Sequence, residues 1–442
     1  MYKEPGSSAE EDTSDEVEGT TPSGDGVYAY PHDIATEYPV HPSSVESIQP
    51  PPPEVSTGNR ALMIIGLSAL GLVLLSLVLT LGGKEGSRFL SVGAQFVPLA
   101  VLAALAYGGV KNSASAMFAY LWLAVLGIGM LLISLGFTLF AFIQDWDLLL
   151  KASRNPGQFA PTELAQAFKP GVGPAFLWTF LLLALTALAA VLMLLRPVRA
   201  GLSRIMPIDP DNFVHKIALC FLTVVTLGSF IPLIVLSGRP PLLEFLGNQT
   251  LEGFDVGVHP QDLLYQFVWT IPATLVAAGW PIARSFQATL KRLGMVRPTL
   301  MQVGWGVALG VGLAVIASFA LDPAVRWVWE ALGWPVTNVA VFGDLMSGLA
   351  TPVGAVLIGV TAGIGEEMAV RGLLQPRIGL FASNLVFTAF HAFQYGPDAL
   401  LSVFLIGLAL GVIRARTNTT TSAIVHGVYD FVLVMAVVVT GT

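Results

Sequence analysis

The stretch GIGEEMAVRG, from Gly363 to Gly372, sets two adjacent carboxylates and a guanidinium into a run otherwise apolar enough to lie in a lipid bilayer. Two later stretches carry further groups able to move protons: FTAFH, with Phe387 and His391, and HGVYD, with His426 and Asp430. A charge at bilayer depth costs about 2.5 kcal/mol or more even on lenient scales, so a cluster of ionisable groups there marks function by default. Packing alone does not call for imidazoles, which titrate near neutral pH. A carboxylate and an imidazole side by side can take a proton from water and return it to a leaving group, which is general acid–base chemistry.

Spacing divides these groups. Glu367 and Arg371 stand four apart in the favourable order, which predicts a pair on one helix face. Arg371 also lies near enough to the helix end to reach the interface by snorkelling. Glu366, about 100° round the same helix, is left without a local partner and free to act as a base. Phe387 and His391 share a face, with Phe387 as a wall of the same cavity, and His426 and Asp430 share another. Asp430 can fix the tautomer of His426 or present its own oxygen to a substrate.

The helices that must position these residues follow from depth. At 1.5 Å per residue, a helix starting at Pro352 places Glu366 about 20 Å in and about 14 Å from the far end. A helix returning from Gly379 puts His391 about 18 Å above that end, and a last helix from Thr421 puts His426 and Asp430 at about 7 and 13 Å. Four residues from three helices thus fall within a band of about 10 Å, in the half of the bilayer near that end.

The rest of the 442-residue chain is built to hold such helices. It is 54% hydrophobic and 12% charged, too apolar for a soluble protein of this size. Residues 1–60 hold 12 of the 29 acidic side chains and two basic ones, Lys3 and Arg60, so the net charge of −7 belongs to the tail. The basic residues of the body sit singly in loops, which leaves no nucleic-acid footprint. The single cysteine, Cys220, lies in an apolar run and carries no disulfide framework. Residues 1–58, rich in Glu, Asp, Ser, Thr, Gly and Pro, lack the basic start and apolar core of a secretory signal and are predicted to be a disordered acidic tail. Its tyrosines and PPPP run are a possible dock for a protein partner.

From Ala61 onward, stretches of about 20 apolar residues recur. Spans are expected at 61–82, 89–110, 114–143, 174–195, 217–237, 263–283, 300–321, 353–375, 379–395, 398–414 and 421–440. The fold class is therefore all-α: a polytopic membrane protein of about eleven transmembrane helices behind the tail. The first seven spans contain no Asp, Glu, Lys, Arg or His, which divides the membrane part into 59–345 and a chemistry-bearing 346–442. Basic loops at Arg196–Lys216, Arg284–Arg297 and Arg414–Arg416 mark the cytoplasmic side, which puts the N-terminus inside and the C-terminus outside.

The three stretches read EExxxR at 366–371, FxxxH at 387–391 and HxxxD at 426–430, with RGLLQPRIG and TNTTTSAIVHGVYDF around the first and third. In this order on successive C-terminal membrane helices the chain resembles the CPBP family, the glutamate-type CAAX prenyl endopeptidases and their Abi-like, bacteriocin-processing relatives. The resemblance covers about 80 residues, roughly a fifth of the chain. It implies an intramembrane endopeptidase in which Glu366 and His391 activate water, His426 and Asp430 face the developing oxyanion, and Glu367, Arg371 and Phe387 support them. Many members carry Asn where Asp430 stands, and an ionised Asp cannot donate a hydrogen bond to an oxyanion. Two histidines with Glu366 and Asp430 would also suit zinc by ligand type, but the reading without a cofactor comes first. The zincin signature HExxH is absent.

Two other classes fit the same residues: a proton-coupled transporter using them as a relay, and a catalytically silent scaffold that docks partners through its tail. Uncharged early spans weigh against the transporter, whose polar sites are usually spread between repeats. The expected substrate is a peptide or membrane protein in the lipid bilayer, and the expected location is a bacterial inner membrane.

Overall fold

The computed structural model describes residues 82–155, 157–247 and 258–441. The tail expected over 1–58 and nearly all of the span expected over 61–82 lie outside the described residues. Ten helices then account for the remaining expected spans: α1 Gly83–Gly109, α2 Ser113–Phe142, α3 Val172–Leu192, α4 Phe213–Val235, α5 Pro260–Ala277, α6 Leu300–Ile316, α7 Pro352–Val360, α8 Gln375–Phe390, α9 Pro397–Arg416 and α10 Thr419–Thr440. No strand occurs among the described residues beyond one isolated bridge between Ile143 and Phe168.

Among the described residues, eight helical runs are long and apolar enough to cross a membrane, and the protein is an integral membrane protein. Two of those runs are composite. Leu300–Ala331 passes from α6 through a π-helical turn at Ala317–Leu321. Pro352–Phe390 passes from α7 through two π-helical turns, Thr361–Glu366 and Met368–Leu374, into α8. The two spans expected in the second run are divided at Gly379, whose φ of 82° breaks the helix in the left-handed region open to glycine.

The starts of these helices are written in the sequence. Asn112, Asn212 and Asn418 accept from the first free backbone N–H groups of α2, α4 and α10, and Thr299 and Thr351 do the same for α6 and α7. Large apolar side chains such as Leu177, Leu300 and Phe319 point outward, as lipid-facing surfaces require.

The described residues fall within one compact unit. Within it α10 packs against α6, α7 and the π-helical turns, α9 against α8 and α10, and α5 against α1 and the same turns. Glycine permits the closest of these approaches: a Cβ on Gly363 would sit 2.6 Å from the carbonyl oxygen of Ala423 and 2.9 Å from Gly427 N. Without side chains at Gly363 and Gly427, the backbone carrying Glu366 lies directly on the backbone carrying His426.

Candidate active site

Glu366 closes the first π-helical turn, and Glu367 stands between the two. A wider turn leaves backbone groups less regularly paired and changes the direction in which side chains leave the helix, and such turns recur at functional sites. Here it sends Glu366 and Glu367 into different surroundings.

Glu367 is fully enclosed, at 0% exposure, and Arg371 beside it is at 1%. Arg371 Nη1 lies 3.5 Å from Glu367 Oε1, the pair expected from spacing. Arg371 does not snorkel. Its Nη2 donates to the carbonyl of Gly407 at 2.9 Å, and its guanidinium lies 4.5 Å over the ring of Phe387. Space for it depends on Gly407, where a Cβ would come within 3.1 Å of Arg371 Nη2.

Glu367 also joins α10. His426 Nδ1 donates to Glu367 Oε1 at 3.0 Å, and the Ser422 hydroxyl lies 2.5 Å from Oε2. Because a carboxylate only accepts, Nδ1 of His426 carries a proton. On the other edge of the ring, Nε2 lies 3.4 Å from Asp430 Oδ2. The shared face expected of His426 and Asp430 is therefore realised, with both ring nitrogens turned to carboxylates.

Glu366 makes no hydrogen bond or ion pair with a described residue and is only partly buried. It lies within electrostatic range of His426, Asp430 and Tyr395. His391 caps the end of α8, and its Nδ1 donates to the carbonyl of Phe387 at 3.0 Å. A carbonyl cannot donate, so in the neutral ring Nε2 keeps its lone pair for a water or a proton. Phe387 touches three members of the cluster: His391 edge-on at 4.8 Å, His426 edge-on at 6.2 Å and Arg371 through its face. His391 also stacks on Tyr395, at 5.8 Å and 10° between ring planes.

All seven residues singled out in the sequence thus meet in one neighbourhood. Ser422 and Tyr395 escaped sequence reading, although each stands four residues from a histidine: Ser422 before His426 on the same helix, Tyr395 after His391 past the end of α8. Among the described residues, no three His, Cys, Asp or Glu side chains are grouped to hold a metal ion.

Residues 348–432 match the family model described as type II CAAX prenyl endopeptidase Rce1-like. Comparison with curated proteins and with solved structures returned no match. The matched segment runs from the helix that carries Glu366 and Glu367 through the one that carries His426 and Asp430, and over these residues the chain is similar to the type II CAAX prenyl endopeptidases.

Proposed function

We propose that the protein is an intramembrane endopeptidase in which Glu366 activates water for hydrolysis of a peptide bond. One observation carries this reading: of two adjacent glutamates, Glu367 has both oxygens engaged, whereas Glu366 has no partner among the described residues. A carboxylate meant to accept a proton must have a free oxygen, and Glu366 has it.

Water donates one hydrogen bond to Glu366 and the other to Nε2 of His391, which leaves its lone pair for the scissile carbonyl carbon. Glu366 takes the proton as the C–O bond forms. The tetrahedral oxyanion accepts from Nε2–H of His426 in its doubly protonated form, which Glu367 holds through Nδ1–H and Asp430 flanks. The C–N bond then breaks, and Glu366 returns its proton to the departing amine. No metal enters the step.

Under the positive-inside rule the end bearing Arg284, Arg292, Arg377 and Arg414 faces the cytoplasm, and the site opens toward that side of a bacterial inner membrane. The substrate class is a peptide or a membrane protein with an accessible carboxyl-terminal region, and residues 1–58 are a docking tail for a protein partner.

The test uses the full chain in proteoliposomes with two probes, a farnesylated fluorogenic CAAX peptide and an unprenylated peptide library read by mass spectrometry. Cleavage by the wild type that disappears in Glu366→Gln and His391→Ala, with melting temperatures retained, supports the proposal. Full activity in either variant sinks it. Proton-driven uptake lost in Glu366→Gln, without cleavage, returns the transporter reading, and partner capture by residues 1–58 without cleavage returns the scaffold.

A further inference from the structure

A second buried carboxylate, Asp398, lies outside the charge cluster and takes no part in the step above. It stands at the start of α9 with 6% exposure, and Thr337, at 5%, covers it. The backbone N–H of Thr337 points at both Asp398 oxygens, at 3.0 and 2.9 Å, and the Thr337 hydroxyl donates to Oδ1 at 2.7 Å. The same hydroxyl oxygen accepts from the backbone N–H of Gly396 at 2.9 Å. No side chain fits at Gly396, where a Cβ would fall 2.8 Å from Asp398 Oδ1 and 2.9 Å from Thr337 Oγ1.

This latch fixes the residue immediately after Tyr395. The other side of Tyr395 is fixed too: its backbone N–H donates to the carbonyl of His391 at 3.0 Å. Its ring lies between two others, stacked on His391 at 5.8 Å and tilted against Phe342 at 5.0 Å. Phe342 belongs to the short helix Val339–Met346, whose start lies just beyond Thr337. Asp398, Thr337, Gly396 and Tyr395 therefore form a continuous path that ends on the imidazole of His391.

His391 needs such support because α8 stops at Phe390 and only one short turn, closed by the Tyr395 N–H on the His391 carbonyl, follows it. Its Nδ1 bond to Phe387 restrains one edge of the ring, and a single hydrogen bond still permits rotation about that contact. We infer that Tyr395 is a positioning residue, whose ring, held by the Asp398–Thr337–Gly396 latch, sets the plane in which His391 presents Nε2 to the reacting water. This rests on the protease reading for its consequence and on the packing alone for its structural content. Misplacing a catalytic group by about 1 Å can cost up to about 100-fold in rate, so the expected loss falls on kcat.

Four variants test it: Tyr395→Leu, Tyr395→Phe, Thr337→Val and Thr337→Ser. With the farnesylated CAAX peptide as probe, Tyr395→Leu and Thr337→Val are expected to lose about tenfold or more in kcat with KM within about twofold. Tyr395→Phe keeps the ring, and Thr337→Ser keeps the hydroxyl, and each is expected to recover most of that loss. An independent readout is nitrogen NMR of histidine-labelled protein, with His391 assigned by its loss in His391→Gln. The wild type should show His391 as the Nδ1–H tautomer in one ring environment, and Tyr395→Leu should show exchange between environments.

Unchanged His391 signals in Tyr395→Leu overturn the inference whether or not the protein cleaves the probe. A Tyr395→Phe variant as impaired as Tyr395→Leu also overturns it, since the hydroxyl would then be the working group. Absence of cleavage in the wild type counts against the protease reading alone, and the NMR comparison then decides the positioning role.

Discussion

Glu367 Oε1 lies 3.0 Å from Nδ1 of His426, which ties the first motif to the third inside the protein. The same oxygen faces Arg371 at 3.5 Å, and the second oxygen faces Ser422 at 2.5 Å. Glu367 is thus a structural hub between helices, and its neighbour Glu366 makes no hydrogen bond or ion pair with a described residue. The pair separates into two tasks although the residues are adjacent in sequence.

That separation predicts opposite phenotypes. Glu366→Gln is expected to lose cleavage with its melting temperature nearly unchanged, since it breaks no contact with a described residue. Glu367→Leu leaves the Arg371 charge buried and unbalanced, which costs about 3–5 kcal/mol for a broken buried pair. Thermal unfolding of both variants in detergent checks this. Equal destabilisation by the two substitutions would show that the tasks are not divided.

Arg371 is the next discriminating position. It donates to Gly407, faces Glu367 and lies over Phe387, three contacts that a lysine ammonium cannot reproduce from the same stem. Arg371→Lys should therefore lower stability by about 1–3 kcal/mol despite keeping the charge. A melting temperature equal to the wild type would mean that charge alone matters there.

These variants also mark what the sequence could and could not convey. The Glu367–Arg371 pair was legible because spacing of four on a helix is a local signal, and the convergence of Glu366, His391, His426 and Asp430 followed from span lengths. The burial of Arg371 was not legible. It depends on Gly407, thirty-six residues on, and on Phe387, and no periodicity relates those positions. The Thr337–Asp398 latch bridges 61 residues and was hidden for the same reason. The first π-helical turn holds Gly363 against Gly427, a tertiary contact 64 residues apart that no local propensity announces.

Gly363 tests that last point. A Cβ there would fall 2.6 Å from the carbonyl of Ala423, and both neighbours are backbone that cannot swing aside. Gly363→Val should force α10 away from the π-helical turns at about 1–3 kcal/mol. The same displacement lengthens the Glu367–His426 contact, so cleavage should fall as well. Gly365, whose nearest neighbour is the Thr270 methyl at 3.6 Å, should tolerate alanine with little change in melting temperature.

The arginine-rich end makes a prediction of the opposite sign. Arg292, in the short helix Phe286–Arg292 outside the spans, is pushed down to about 10 by burial and by the neighbouring charges of Arg377 and Arg284. A base whose folded value lies below its unfolded one carries its charge at a cost in the folded state. That cost is present throughout the range below pH 10 and fades as the pH rises beyond it. Arg292→Met should raise the melting temperature at low salt, offset in part by loss of the 3.3 Å bond to Gly372. Salt up to about 0.5 M should stabilise the wild type more than the variant, because it screens the like charges. Equal salt responses would remove the repulsion argument.

Asp430 tests the oxyanion side of the proposed step. Its Oδ2 lies 3.4 Å from Nε2 of His426, so the carboxylate either orients that ring or serves with it as a ligand pair. Orientation survives replacement by an amide of the same shape, which can also donate to an oxyanion. Asp430→Asn is therefore expected to retain cleavage within about threefold, whereas Asp430→Leu should lose about 100-fold, the scale of a missing oxyanion contact. A metal role makes the reverse prediction, because an amide is a poor ligand for zinc and metal content would fall with activity. Both nitrogens of His426 already face carboxylates, at 3.0 and 3.4 Å, which favours the first outcome. Prolonged dialysis against a chelator should accordingly leave cleavage of the CAAX peptide intact. Loss of activity in Asp430→Asn together with chelator sensitivity would assign the site to a metal after all.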